Sequence, residues 1–170
     1  MKVFYDFFQA GTKYVLATGQ TKHDIMKGLD MRSIFRCMME DGYYPSFDNG
    51  YILFDFEDNT AVVEYEENIL SVRLFFTIDA EDADALIKAS NNTMTGSLMV
   101  KPAVMEKTGS IMFSCEMMCD TRRQFRKFFP RALNYLKEAL EIHKVEMQRL
   151  MTAATSESFG TVHKTSILHS

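Results

Sequence analysis

Tyr51-Ile52-Leu53-Phe54-Asp55-Phe56-Glu57-Asp58-Asn59-Thr60-Ala61-Val62-Val63-Glu64-Tyr65-Glu66-Glu67-Asn68-Ile69-Leu70-Ser71-Val72-Arg73-Leu74-Phe75-Phe76-Thr77 is the stretch that decides the fold. Ile52, Phe54 and Phe56, then Ala61, Val63 and Tyr65, then Leu70, Val72, Leu74 and Phe76 keep one parity in three successive runs. Asp55, Glu57, Glu64, Glu66, Ser71 and Arg73 keep the other. A period of two with an apolar and a polar side is the pattern of strands that bury one sheet face. Polar pairs at Asp58-Asn59 and Glu67-Asn68 separate the runs, and upstream Asn49-Gly50, whose residues both accept positive φ, joins Tyr43–Asp48 to Tyr51–Glu57. The reading is a four-stranded antiparallel meander with one face wet or covered by a partner.

Before the meander, Asp30 caps a helix with Met31, Ile34, Phe35, Met38 and Met39 on one stripe, and Gly42 stops it. After it, a second helix is expected from Asp79 to about Asn91-Asn92, with Glu81, Asp82 and Asp84 at its positive end. Ser97–Glu106 and Ser110–Met118 form a hairpin around Lys107-Thr108-Gly109. Thr121 and Gln124 then make a capping box for a long helix carrying Phe125, Phe129, Leu133, Leu136, Leu140, Met147 and Met151. Pro130 predicts a kink or break, with the main helix from about Pro130 to Met151. Residues 1–29 are an extension of uncertain structure, with strand-like Lys13–Ala17 and a short helix after Thr21. Residues 30–151 form an α+β domain, and residues 152–170 are expected to be a flexible tail.

Composition narrows the function classes. The chain has 170 residues, enough for one core; 46% are hydrophobic and 25% charged, with eight Gly and three Pro, which excludes disordered and collagen-like chains. The net charge of −4 gives no global footprint for nucleic acid. No apolar run approaches the length of about 20 residues that spans a bilayer, and the first nine residues, broken by Asp6, do not read as a secretory signal. Three cysteines, Cys37, Cys115 and Cys119, lack a disulfide framework, so a cytoplasmic protein is expected.

Known catalytic patterns are missing from the letters. The glycines are never closer than eight residues apart, which removes phosphate-cradling and dinucleotide loops, and no nucleophile elbow occurs. His23, His143, His163 and His169 are scattered, so a metal site would have to be assembled by the fold. Cys115 and Cys119, if extended, lie about 13 Å apart at their α-carbons, beyond disulfide reach. Asp79, Glu81, Asp82 and Asp84 superficially form a calcium loop, but Asp84 occupies the position that needs glycine, and helix capping accounts for them. No cofactor is expected.

Charge distribution and methionine say more. Residues 51–87 carry ten acids and one base, a local net of −9, whereas residues 121–151 carry eight bases and three acids, a net of +5. Arg122, Arg123, Arg126, Lys127 and Arg131 crowd a helix start, where the macrodipole disfavours them. Either they form a solvated or internally paired face, or they dock an acidic partner or a second copy. Thirteen methionines stand beside no tryptophan. Most read as core fillers, but Met112 and Met118 share the parity of Ser114 and Glu116, opposite Ile111, Phe113 and Cys115, and are expected to face outward as an adaptable binding surface. Candidate partner-binding residues are therefore Met112, Met118, Arg122, Arg123 and Arg126.

The order of helix, meander, helix, hairpin and long helix, with Glu40-Asp41-Gly42-Tyr43, Asp48-Asn49-Gly50-Tyr51-Ile52-Leu53-Phe54 and Asn91-Asn92, resembles the YbjN-like family of candidate bacterial sensory transduction regulators. The resemblance covers residues 30–151. It implies the fold of type III secretion chaperones, small acidic proteins that commonly dimerise and bind extended partner segments, and it implies no catalytic residues. The expected function is a non-catalytic protein-binding, chaperone-like or regulatory domain, acting as a homodimer on a protein partner, with neither nucleic acid nor membrane. The alternatives are a structural subunit of a larger assembly and a small-ligand sensor or enzyme of unrecognised type.

Overall fold

The computed structural model describes residues 28–77, 83–97 and 99–162. Expectations placed on residues 1–27, on the Asp79 helix start and on 163–170 lie outside them. Within them the order is α1 (Met31–Glu40), β1 (Ser46–Asp48), β2 (Tyr51–Phe56), β3 (Asn59–Glu66), β4 (Ile69–Thr77), α2 (Ala83–Gly96), β5 (Val100–Met105), β6 (Ser110–Met118) and α3 (Arg122–Val162). The strands form one antiparallel sheet in the order β1-β2-β3-β4-β6-β5, with a short 3-10 turn at Glu106–Thr108 inside the last hairpin. The expected α+β architecture is present, and the hairpin extends the meander into six strands because β6 pairs with β4 along its whole length.

The parity of the meander sets the core. Ile52, Phe54, Ala61, Val63, Leu70, Val72 and Leu74 are buried together with Ile111, Phe113 and Cys115 of β6. Against them pack Ile34, Cys37 and Met38 of α1, Leu86 of α2, and Phe125, Phe129, Ala132, Leu133, Leu136 and Ala139 of α3. Among the described residues, all three helices lie on this one face. Phe129 ties the layers together, with its ring 5.0 Å from Phe125, 5.1 Å from Tyr43 and 5.5 Å from Phe54.

The local signals act as their chemistry requires, with four adjustments. Asp30 accepts from the Ser33 amide at 2.7 Å, Gly42 turns out of α1 at φ +88°, and Thr121 and Gln124 bond reciprocally at 3.1 and 3.2 Å. The β2–β3 turn is Glu57-Asp58, one residue earlier than Asp58-Asn59, because Phe56 pairs with Asn59, whose side chain donates back to the Glu57 carbonyl at 2.6 Å. β1 begins at Ser46 rather than Tyr43, since Pro45 precedes it and Tyr43 packs on Phe54 and Phe129. α2 continues past Asn91-Asn92 to Gly96: the Asn92 amide donates to Glu146 of α3 at 2.8 Å, and the Thr93 hydroxyl returns to the Ala89 carbonyl at 2.8 Å. α3 runs uninterrupted through Pro130 and beyond Met151 to Val162, so residues 152–162 of the expected tail are helical. Burial of Phe125, Phe129, Ala132 and Leu133 on both sides of the proline offsets its missing hydrogen bond.

Candidate protein-binding surface

The opposite face of the sheet carries no helix among the described residues, and register fixes what it displays. One end is the row Glu66, Ile69, Met118; next come Glu64, Ser71, Glu116; then Leu53, Val62, Arg73, Ser114, Lys101; then Phe75, Met112, Ala103. Arg73 lies along this face, its Nε donating to the Ser71 hydroxyl at 3.0 Å and its guanidinium pairing with Glu64 at 2.6 Å. Lys101 bridges to Glu116 at 3.0 Å. Val62, Ser71 and Ser114 on this face are buried. At the Glu66 end the surface dips into an open depression of about 350 Å³ lined by Glu64, Glu66, Glu67, Ile69, Ser71, Arg73 and Glu116. Its rim is apolar on one side, where the register partners Ile69 and Met118 are 45% and 74% exposed.

Of the sequence-derived residues, Met118 stands fully outward on this face. Met112 is half-buried on the same face, six strand positions away and so about 20 Å along it. The two methionines mark opposite ends of the face rather than one patch. Arg122 and Arg123 are exposed at the start of α3, just beyond the Met118 end. Arg126 is engaged inside the molecule instead, pairing with Glu40 and with Asp41 at 3.2 Å; both partners, Asp41 first, raise its already high pKa. The basic helix start therefore makes its internal pair with the end of α1, not with the acidic sheet. Lys137 does reach the sheet, bonding Glu57 at 2.6 Å.

Sheet edges are poor docking places. β1 is three residues long and follows Pro45, while β5 carries Pro102 in its middle, which removes a donor from the outer row of that edge strand. Partner recognition by strand addition, the usual use of an open edge, is blunted on both sides.

Among the described residues, three cysteines and one histidine are buried. Burial pushes the Cys115 and Cys119 thiols up to about 11, and it raises Cys37 as well, with Arg126 and Arg122 opposing. All three are free and buried, and it is Cys37, not Cys115, that adjoins Cys119. His143 is buried edge-on to Phe113 at 5.1 Å, with its Nδ1 3.3 Å from the Thr93 hydroxyl. Because that hydroxyl gives its hydrogen to Ala89, the Nδ1–H is the donor. Among the described residues, no three His, Cys, Asp or Glu side chains gather to hold a metal ion, and no helix is long and apolar enough to cross a membrane.

No protein-family model matches the sequence, and no curated protein matches it significantly. Solved structures do. YbjN, a candidate transcription regulator from E. coli, superposes with a TM-score of 0.60 at 12% identity, over 71% of this chain and 94% of that one. The chain thus has a YbjN-like fold. The HopA1–SchA chaperone–effector complex matches at a TM-score of 0.42 and 12% identity, over 72% and 97% of the two chains, below the level at which two folds are the same.

Proposed function

We propose that this chain is a non-catalytic, homodimeric protein-binding domain of chaperone-like or regulatory type, which recognises protein partners on the outer face of its sheet. The observation that carries the reading is that face itself: six strands wide, free of helices among the described residues, with exposed Met118 and Ile69 and half-buried Met112 set among glutamates. Unbranched thioethers beside fixed charges suit partners of varied shape, with the charges setting orientation. Nucleic acid is a poor occupant, because the depression holds four glutamates against one arginine. The likeness to YbjN shows the fold, and the surface supports the protein-binding reading. Three buried free thiols agree with a reducing cytoplasm.

Selection of phage-displayed peptides on the immobilised full chain tests the proposal. The wild type is expected to enrich segments that pair apolar with basic residues, and Met112→Ser with Met118→Ser to abolish the enrichment while the protein stays folded by circular dichroism. A selection that enriches nothing, or one that survives the double substitution, overturns it.

A further inference from the structure

Resting on the protein-binding reading, we infer that the 27 residues preceding Gly28 are an intramolecular occupant of the outer sheet face, and that a partner segment binds by displacing them. The place where they join the fold points there. The Leu29 amide donates to the Asp120 carbonyl at 3.1 Å, two residues past Met118. The Cys119 amide donates to the Asn68 carbonyl at 2.8 Å, and Ile69 is the register partner of Met118. Gly28 therefore stands at the end of the sheet where the glutamate-lined depression opens. From that end to Met112 is about 20 Å, whereas 27 extended residues span about 90 Å, so the segment can pass over the rim and along the face with chain to spare.

The chemistry of the segment matches that of the face. Lys2, Lys13, Lys22 and Lys27 stand against Asp6 and Asp24, a net of +2, and Val3, Phe4, Tyr5, Phe7 and Phe8 crowd one run. The depression sets four glutamates against Arg73, a net of −3. Arg73 and Lys101 already answer Glu64 and Glu116, while Glu66 and Glu67 enter no ion pair among the described residues. The two acids next to Asn68 are thus left for Lys22 and Lys27, the lysines closest to the joining point. Beyond them the face offers exposed Ile69 and Met118 and half-buried Phe75 and Met112 to the aromatic run. Val62, Ser71 and Ser114 at its middle are buried although no helix among the described residues crosses it, the condition of a covered sheet face. Covalent attachment gives the segment an effective concentration of about millimolar, so a free partner competes at a disadvantage set by the fraction of faces that stand open.

Methionine methyl resonances of the full chain, labelled with carbon-13, read the contact directly. Met112 and Met118 are each identified by substitution with Leu, and Met94, exposed on α2, is the reference away from the face. Phe7→Ser with Phe8→Ser is expected to move the Met112 and Met118 signals by taking aromatic rings from beside them, and to leave Met94 in place. Lys22→Glu with Lys27→Glu is expected to do the same, and adding Glu66→Lys with Glu67→Lys to return the signals toward their wild-type positions. Both released chains are expected to bind an enriched peptide about tenfold more tightly, the gain when a face closed in roughly nine molecules of ten is opened. Signals unmoved by both variants, a response at Met94 instead, or shifts that depend on protein concentration, as they would with the segment on a second copy, each overturn the intramolecular contact. Unchanged peptide affinity overturns the displacement. A selection that enriches no peptide on any of these chains overturns the protein-binding reading, while the methyl signals still decide the segment, so the two failures are told apart.

Discussion

Gly50 holds φ +90° after Asn49 at φ 48°, and open space surrounds the position where a Cβ would point. Replacing Gly50 with Ala therefore meets no neighbour, and its cost is backbone strain alone. The expected loss is about 1–2 kcal/mol, read as a lower urea midpoint with unchanged slope. His143 gives a pH-dependent counterpart. Burial lowers its pKa from the ordinary 6.5, with the Ala89 carbonyl acting weakly the other way. The unfolded chain then binds a proton that the folded chain refuses, so stability is full above about pH 6.5 and falls as pH drops below it. Urea titrations at a series of pH values are expected to show this decline in the wild type and a flatter profile for His143→Gln; an unchanged slope would contradict the burial argument. Asn49-Gly50 was legible from the letters because a dipeptide states its own φ preference. His143 was not, since Thr93 and Phe113, which fix it, lie 50 and 30 residues away.

At the scale of elements, apolar parity located β2, β3 and β4, while β1, which has no buried face, begins three residues later than the sequence pattern predicts, and residues satisfied from outside their own element hid the helix ends. Asn91-Asn92 reads as a stop, yet the Asn92 side chain is bonded to Glu146 of α3, and Thr93 and Thr95 return their hydroxyls to α2 carbonyls. No local pattern contains Glu146. Pro130 is the same lesson in reverse: a strong breaker is overridden because Phe129, Ala132, Leu133 and Leu136 are all buried. The helix still bears a local penalty there. Pro130→Ala restores an amide donor toward the Arg126 carbonyl, and Pro130 is exposed, so no packing is lost. The variant is expected to gain about 1–3 kcal/mol, seen as a higher thermal midpoint; a lower midpoint would show that the ring is needed to shape the helix.

For the whole molecule, sequence parity correctly turned Met112 and Met118 away from the core, but it treated them as one patch, and the basic run as one cluster. Folding separates both. It sends Arg126 to the acidic end of α1 and leaves Arg122 and Arg123 exposed at the start of α3, while Met112 stands about 20 Å from Met118 along β6 with Phe75 and Ala103 as cross-strand company. Only the register of β6 against β4 sets that spacing, and it is not written in residue types. The two ends of the face are separable by substitution. Met118→Ser with Glu66→Gln is expected to remove the preference of enriched peptides for basic residues, because both side chains stand at the end lined by glutamates. Met112→Ser alone is expected to weaken the apolar part of the selection and leave its basic part, because it alters only the other end; a selection left unchanged by both substitutions would contradict the placement of the partner on this face.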